Sequence, residues 1–281
     1  MFTSILSPIF TLFLLPFVGT AVLAGIILLV SRAPSGTKLS SAATGIGTAW
    51  VCAVVLGIPD FPPKFGGSSM PYVILAGLLV GALLDHLLPK ISYKHWFAGS
   101  VPDFLFAGAV ILWIRGEADF WSVLFFVAWG SILLRARRLS NDARMPVIMM
   151  VVAAIGLAVI AWIGDTLVDR DLAVGVASTG LGISAWLWFK RDLPVGYSYF
   201  WGSFAALLMI ALRILETNTL MAVPILLLGF IFFADSIMVR VKLRPAYLEQ
   251  FAAPLLVGAI SILPIILASA SALVATSLLD N

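Results

Sequence analysis

Long apolar stretches recur along the whole chain, and nearly all charged residues lie in the short gaps between them. A stretch of roughly 18 or more apolar residues is long enough to cross a bilayer as a helix. Helices are favoured because every backbone group must be paired inside hydrocarbon, and the short alternating segments of a β-barrel are missing. We predict an all-α fold of about ten transmembrane helices at Ile5–Val30, Ser40–Ile58, Met70–Leu88, Phe97–Ile114, Phe120–Leu134, Pro146–Ile163, Leu172–Phe189, Val195–Leu215, Leu220–Val239 and Phe251–Leu279.

The composition agrees with this prediction. Hydrophobic residues make up 62% of the 281 residues, charged residues 11%, and the mean hydropathy is +1.10. A soluble domain carries about 25% charged residues. No gap is long enough to hold a folded domain, so residues 1–281 are predicted to form a single integral membrane domain. The net charge of +3 is spread over the gaps, which makes membrane lipids the expected partners and not nucleic acid.

The basic residues alternate between gaps. Of the 17 lysine and arginine residues, all but Lys64, Arg115, Arg170 and Arg213 lie in the first, third, fifth, seventh and ninth gaps. Short loops rich in lysine and arginine stay in the cytoplasm. The odd-numbered gaps are therefore predicted to be cytoplasmic, and both termini are predicted to be outside.

Several ionisable residues are predicted to lie within or near the membrane. Placing an ionisable side chain in lipid costs free energy, so each of these residues is a candidate for a functional role. They are Asp85 with His86, Asp103, Asp142 and Asp235, and all fall toward the predicted cytoplasmic side. Each also has a structural interpretation. A carboxylate can end a helix at the interface, occupy the favourable first turn of a helix or pair with neighbouring arginines.

The sequence motifs of several soluble enzymes are missing. The chain has no Walker-type phosphate loop, no G-x-S-x-G elbow, no H-E-x-x-H and no CxxCH haem motif. Two histidines, His86 and His95, and the single Cys52 are too few for a typical zinc site.

Four segments on the predicted cytoplasmic side combine aspartate, serine or asparagine with basic residues. In chain order they are "LLVGALLDHLLPKISYKHW", "LLRARRLSNDARMP", "GISAWLWFKRDLPVGYSYFWGSFAALL" and "PILLLGFIFFADSIMVRVKLR". Taken together, from about Lys38 to Arg244, they resemble the polyprenyl-phosphate sugar-1-phosphate transferases. This family includes the bacterial enzyme that makes lipid I. The resemblance implies about ten spans with both ends outside and a location in the bacterial inner membrane. It also implies transfer of a phosphosugar from a UDP-sugar to polyprenyl phosphate, with release of UMP.

The resemblance assigns the catalytic positions to Asp85, Asp142 and Asp235. Asp85 matches the first of two adjacent family aspartates, Asp142 is what remains of an aspartate-rich motif, and Asp235 ends the late span. If the protein is active, Asp85 and Asp235 would hold Mg²⁺, which offsets the repulsion between two anionic substrates.

The substrate-binding positions implied by the resemblance are His86, Lys94, Ser203 and Arg240. Two of them depart from the family pattern. His86 replaces the second adjacent aspartate, and Ser203 replaces the aspartate of a Gly-Asp turn. The histidine-rich loop expected before the last span is also missing. We therefore expect a degenerate member that binds UDP-sugar, polyprenyl phosphate or both at its cytoplasmic face, with reduced or no catalysis.

Two alternatives remain open. A membrane transporter or flippase would agree with the helix-breaking residues Pro16, Pro224 and Pro264, although no internal repeat is evident. A non-catalytic subunit of a membrane complex, with another membrane protein as partner, would agree with the small residues in "ASTGLGISAW" and "ILASASALVA".

Overall fold

The computed structural model describes most of the chain as helix, and its described part contains no strand. The described residues are 10–30, 40–58, 61, 69–87, 96–116, 119–139, 144–189, 193, 195–238 and 246–278.

Within those residues the chain forms ten helical segments, and each overlaps one predicted span. They are α1 (Phe10–Val30), α2 (Ala42–Leu56), α3 (Met70–Leu87), α4 (Trp96–Arg115), α5 (Phe120–Arg138), α6 (Arg144–Ile163), α7 (Leu167–Phe189), α8 (Tyr197–Thr217), α9 (219–238) and α10 (246–277). Eight of these described helices are long and apolar enough to cross a membrane; the apolar α2 is shorter. This architecture is that of a polytopic membrane protein.

Several helices extend beyond their predicted bounds, and the extensions of α5 and α7 carry charged residues that pair with other helices. Helix α5 continues from Leu134 to Arg138, and α7 begins at Leu167, five residues before the predicted start. The sequence pattern assigned these charges to gaps. Arg135, Arg137 and Asp169 in these extensions pair with residues of other helices, which the pattern could not show.

Several described segments depart from regular α-helix, among them three of five residues each. Residues Phe10–Leu14 and Phe200–Phe204 form π-helix, and Gly229–Phe233 forms a 3₁₀-helix. The last two contact each other, since the rings of Phe204 and Phe232 lie 5.4 Å apart. Such segments change the direction in which side chains and carbonyl groups point.

Helix α8 runs through the middle of the bundle. Nearly all of its apolar stretch is buried, and the side chains of Tyr199, Phe200 and Phe204 have almost no exposed surface. Small residues bring its neighbours close to it. A Cβ added to Gly202 would lie 3.0 Å from the Cα of Gly45 on α2. Close approach of this kind is how membrane helices gain van der Waals contact when no hydrophobic force drives them together.

Candidate functional site

Asp85 lies in the last turn of α3 and binds the beginning of α8. Its carboxylate accepts hydrogen bonds from the backbone N–H groups of Tyr197 (2.7 Å) and Ser198 (3.0 Å) and from the Ser198 hydroxyl (2.8 Å). The residue before α8, Gly196, has no side chain to cap the helix. Asp85 therefore satisfies free N–H groups at a helix start, as an N-cap side chain does, but from another helix.

Two glycines make this contact sterically possible. A Cβ on Gly196 would lie 2.2 Å from a carboxylate oxygen of Asp85. A Cβ on Gly81, one turn earlier in α3, would lie 2.7 Å from the backbone of Ser198. Any larger residue at either position would push α3 and α8 apart and break the hydrogen bonds to Asp85.

Asp103 on α4 forms a buried ion pair with Arg137 on α5. The nitrogen-to-oxygen distance is 2.5 Å, and the Asp103 side chain has no exposed surface. Its other oxygen accepts a hydrogen bond of 3.0 Å from the indole N–H of Trp201 on α8. A buried charge is costly unless it is paired and hydrogen-bonded, and both conditions are met here.

Arg137 and the aromatic rings join this pair to the start of α8. The guanidinium of Arg137 donates to the Tyr197 hydroxyl (2.5 Å) and lies 3.8 Å from the centre of the Tyr197 ring. Trp201 stacks on Phe106 of α4 with ring centres 4.6 Å apart. We call Asp85, Asp103, Arg137, Tyr197 and Trp201 the polar cluster. It connects α3, α4, α5 and α8.

Arg135 holds the last part of α9. It donates to both carboxylate oxygens of Asp235 (2.8 Å each), to the Phe232 carbonyl (2.8 Å) and to the Ser236 hydroxyl. Residues two apart on a helix point in nearly opposite directions. Arg135 and Arg137 therefore reach different neighbours from one turn of α5. We call the end of the bundle where these contacts lie the basic end.

The structure brings some of the predicted site residues into these contacts and leaves others apart. Asp85 belongs to the polar cluster and Asp235 to the Arg135 contact. His86 is exposed, and Ser203 is buried with no hydrogen-bond partner for its hydroxyl among the described residues. Three predicted site residues lie outside the described residues: Lys94, Asp142 and Arg240.

The described carboxylates do not fit a magnesium site. Asp85 already accepts three hydrogen bonds, and both oxygens of Asp235 face one guanidinium. No group of three histidine, cysteine, aspartate or glutamate residues is close enough to share a metal in the described part of the chain. Magnesium prefers carboxylates that keep oxygens open to the ion and to substrate phosphates.

Sequence reasoning assigned no role to Arg137, Tyr197 or Trp201. Arg137 was counted as a loop residue because it lies among other arginines in "LLRARRLSNDAR". The signal that could have found it is the helical spacing of Gly130, Leu133 and Arg137 (i, i+3, i+7), which places Arg137 on the buried face of α5.

A second set of buried polar groups lies where α1, α2 and α7 cross. The hydroxyls of Thr48 and Thr179 are 3.2 Å apart. Those of Thr20 and Thr44 are buried and have no hydrogen-bond partner among the described residues. Thr20 lies near the middle of α1 and Thr44 in the first turn of α2. A buried hydroxyl without a hydrogen-bond partner is costly.

The crossing also contains a short sequence repeat that the sequence analysis did not identify. Residues 43–50 read "ATGIGTAW" and residues 178–186 read "STGLGISAW". The second glycines of the two copies, Gly47 and Gly182, pack against the same residue. A Cβ on either would lie within 3.0 Å of the Thr20 side chain. Because Thr48 faces Thr179 and Val51 faces Gly175, α2 and α7 run antiparallel.

No protein-family model matches the chain, and a comparison with curated proteins finds none that matches it.

Proposed function

We propose that the chain threads the membrane ten times with both termini outside. The contacts at the basic end support this threading. Asp85 with Tyr197, Asp103 with Arg137 and Arg135 with Asp235 each join segments that the charge pattern assigns to the cytoplasmic side. A chain with one span more or fewer between any two of these segments would put them on opposite sides.

We further propose a degenerate phosphosugar-transferase-like protein that binds polyprenyl phosphate or a UDP-sugar at the cytoplasmic face of a bacterial inner membrane without transferring the sugar phosphate. The binding half rests on the resemblance of the four sequence segments, and one structural observation carries the non-catalytic half. The two described carboxylates at the expected catalytic positions, Asp85 and Asp235, hold helices together. A carboxylate engaged in this way is a poor metal ligand and a poor base, because those roles need an oxygen open to substrate.

The test separates binding from catalysis. Purified protein receives UDP-sugars, Mg²⁺ and polyprenyl phosphate, and UMP release is measured beside the thermal shift caused by each ligand alone. We expect a higher melting temperature with ligand and no UMP above the protein-free background. Steady UMP release that disappears in Asp235→Asn would show catalysis and refute this proposal. Absence of any ligand-dependent shift would refute the binding half.

A transporter is the second candidate, and the repeat carries it. Many transporters are built from inverted repeats with a binding site near the midplane, where the repeats meet. Helices α2 and α7 are antiparallel and share the Thr-Gly-x-Gly motif. Beside them lie the buried hydroxyls of Thr20 and Thr44, which have no hydrogen-bond partner within the described part of the chain.

Liposome uptake tests this candidate. A panel of labelled monovalent cations and small polar solutes is offered to the wild-type protein and to Thr48→Val and Thr179→Val. Uptake by the wild type that falls at least tenfold in both variants would support transport. Ser269→Val, which removes a hydroxyl bonded only within its own helix α10, is the matched control. Equal uptake in all four proteins, or none above empty liposomes, would refute it.

A further inference from the structure

An apolar groove opens on the side of the bundle between α1, α6, α7 and α10. Its volume is about 420 Å³, within the range of sites that hold small organic ligands. Apolar side chains make up most of its wall, including Ile148, Leu181 and Leu255. Its one polar side chain besides an arginine, Ser184, donates its hydroxyl to a carbonyl of its own helix. The groove therefore suits a hydrocarbon chain.

One end of the groove carries a positive charge. Arg144 lines it there and begins α6 shortly after α5 ends at Arg138, so this end lies at the basic end of the bundle. Trp188, near the end of α7, lines the groove as well. Tryptophan and arginine at one level are typical of the zone where lipid headgroups lie. The groove thus joins an apolar wall to a cation at headgroup depth.

The groove is about two-thirds as long as one leaflet of the hydrocarbon core is thick. From Arg144 to Val151, both of which line it, α6 rises about 10 Å at 1.5 Å per residue. Half of the hydrocarbon core measures about 15 Å. An acyl chain that starts at the headgroup level beside Arg144 would follow the groove for most of its leaflet. A much longer isoprenoid chain would gain little from it, because the groove covers only about 10 Å of the chain's length.

We propose that this groove binds one anionic glycerophospholipid, with an acyl chain against α6 and α10 and the phosphate at Arg144. The site is separate from the ligand binding proposed above, because the described substrate-binding positions His86 and Ser203 do not line the groove. Arg144 favours a lipid with a negatively charged headgroup, and the apolar wall of the groove holds the acyl chain.

The experiment titrates detergent-purified full-length protein with phosphatidylglycerol or phosphatidylcholine and measures bound lipid by native mass spectrometry. We expect tighter binding of phosphatidylglycerol. Arg144→Gln should reduce that preference about fivefold, since one basic residue near a membrane surface contributes about this much attraction. Gly258→Leu should reduce binding of both lipids, because a Cβ there faces open groove with its nearest neighbour, Ile148, 3.7 Å away.

Two variants serve as matched controls. Arg138→Gln removes an equal charge from an exposed residue at the same end that does not line the groove. Gly19→Leu adds the same side chain on α1, where nothing lies within 4 Å of the new Cβ. Both should bind phosphatidylglycerol as the wild type does.

Three outcomes would overturn the proposal. The first is an unchanged lipid preference in Arg144→Gln, and the second is an equal loss in Arg138→Gln, which would indicate general surface charge. The third is displacement of phosphatidylglycerol by an equimolar amount of polyprenyl phosphate, which would assign the groove to that lipid. If Gly258→Leu fails to fold, the lipid preference of Arg144→Gln, compared with those of the wild type and Arg138→Gln, still tests the proposal. UMP release and the thermal shift with UDP-sugar do not depend on the groove, so its failure leaves the proposed function untouched.

Discussion

At the basic end of the bundle, Asp85 caps a helix that begins more than 100 residues later, whereas at the opposite end Asp119 caps its own helix. Asp119 accepts hydrogen bonds from the backbone N–H (2.8 Å) and hydroxyl (2.5 Å) of Ser122 at the start of α5. It also pairs with Arg115 at 2.6 Å. The same chemistry, a carboxylate at a helix start, is local at one end and long-range at the other.

The two ends also differ in what their ion pairs join. The pairs at the basic end connect α4 with α5 and α5 with α9, and the first of them also contacts the start of the central α8. Among the described residues, the opposite end has two local pairs, Arg115–Asp119 and Arg170–Asp171, and one long-range pair, Asp169 with Arg213 (2.6 Å), which ties α7 to α8. Loss of a contact at the basic end should therefore disturb more helices. Three measurements test that comparison.

The largest effect is expected from Arg137→Met. This change leaves Asp103 as a buried carboxylate without its cation, and breaking a buried pair in this way costs about 3–5 kcal/mol. Thermal unfolding in detergent should show a large drop in melting temperature. The double variant Arg137→Met/Asp103→Leu should recover much of it, because no unpaired charge remains. A single variant as stable as the wild type would mean that the pair does not hold the basic end together.

Asp85→Ala should have a smaller but still large effect. It leaves two backbone N–H groups and a hydroxyl of α8 without their acceptor, and an unsatisfied buried donor costs about 1–3 kcal/mol. His86→Ala is the control, since the neighbouring side chain is exposed and its removal should change stability by less than about 0.5 kcal/mol. The same unfolding measurement compares them. Equal melting temperatures for the two variants would contradict the capping role of Asp85.

Asp119→Ala should have the smallest effect, about 1 kcal/mol, the usual cost of losing an N-cap. This contact also predicts a pH dependence. The hydroxyl and N–H of Ser122, with Arg115 beside them, lower the pKa of Asp119. A lowered pKa in the folded state adds stability above the unfolded value of about 3.9, and that stability is lost as the pH falls through the lower folded value.

The acid range therefore distinguishes the two proteins. The difference in melting temperature between the wild type and Asp119→Ala should be constant above about pH 5 and shrink on going to pH 3. A difference that grows in acid would show that the carboxylate is not held in its charged form by these contacts.

Much of the helical layout could be predicted because apolar length is a property of consecutive residues. Each predicted span overlaps an observed helix, and a local cap such as Asp119 before Ser122 can be identified from spacing alone. The errors lie where charged residues belong to helices. The charge pattern places Arg137, at the end of α5, and Asp169, at the start of α7, in gaps. The residues that pair with them and offset the cost of burying their charges, Asp103 and Arg213, lie far away in the sequence.

The candidate site was predicted only in part. Asp85 was identified, but its partners are backbone groups 112 and 113 positions away, and backbone donors have no sequence signature. The repeat on α2 and α7 lay in the sequence, yet its meaning depends on Thr20 of α1 packing against both copies.

The sequence by itself determined that this is a polytopic helical membrane protein, because hydrocarbon thickness selects for apolar length and loops collect the charges that lipid excludes. Only the tertiary structure decided which charges leave the loops and enter the bundle. That choice depends on donors and acceptors that meet across helices, where a carboxylate such as Asp85 becomes part of the scaffold once the hydrogen bonds of another helix surround it.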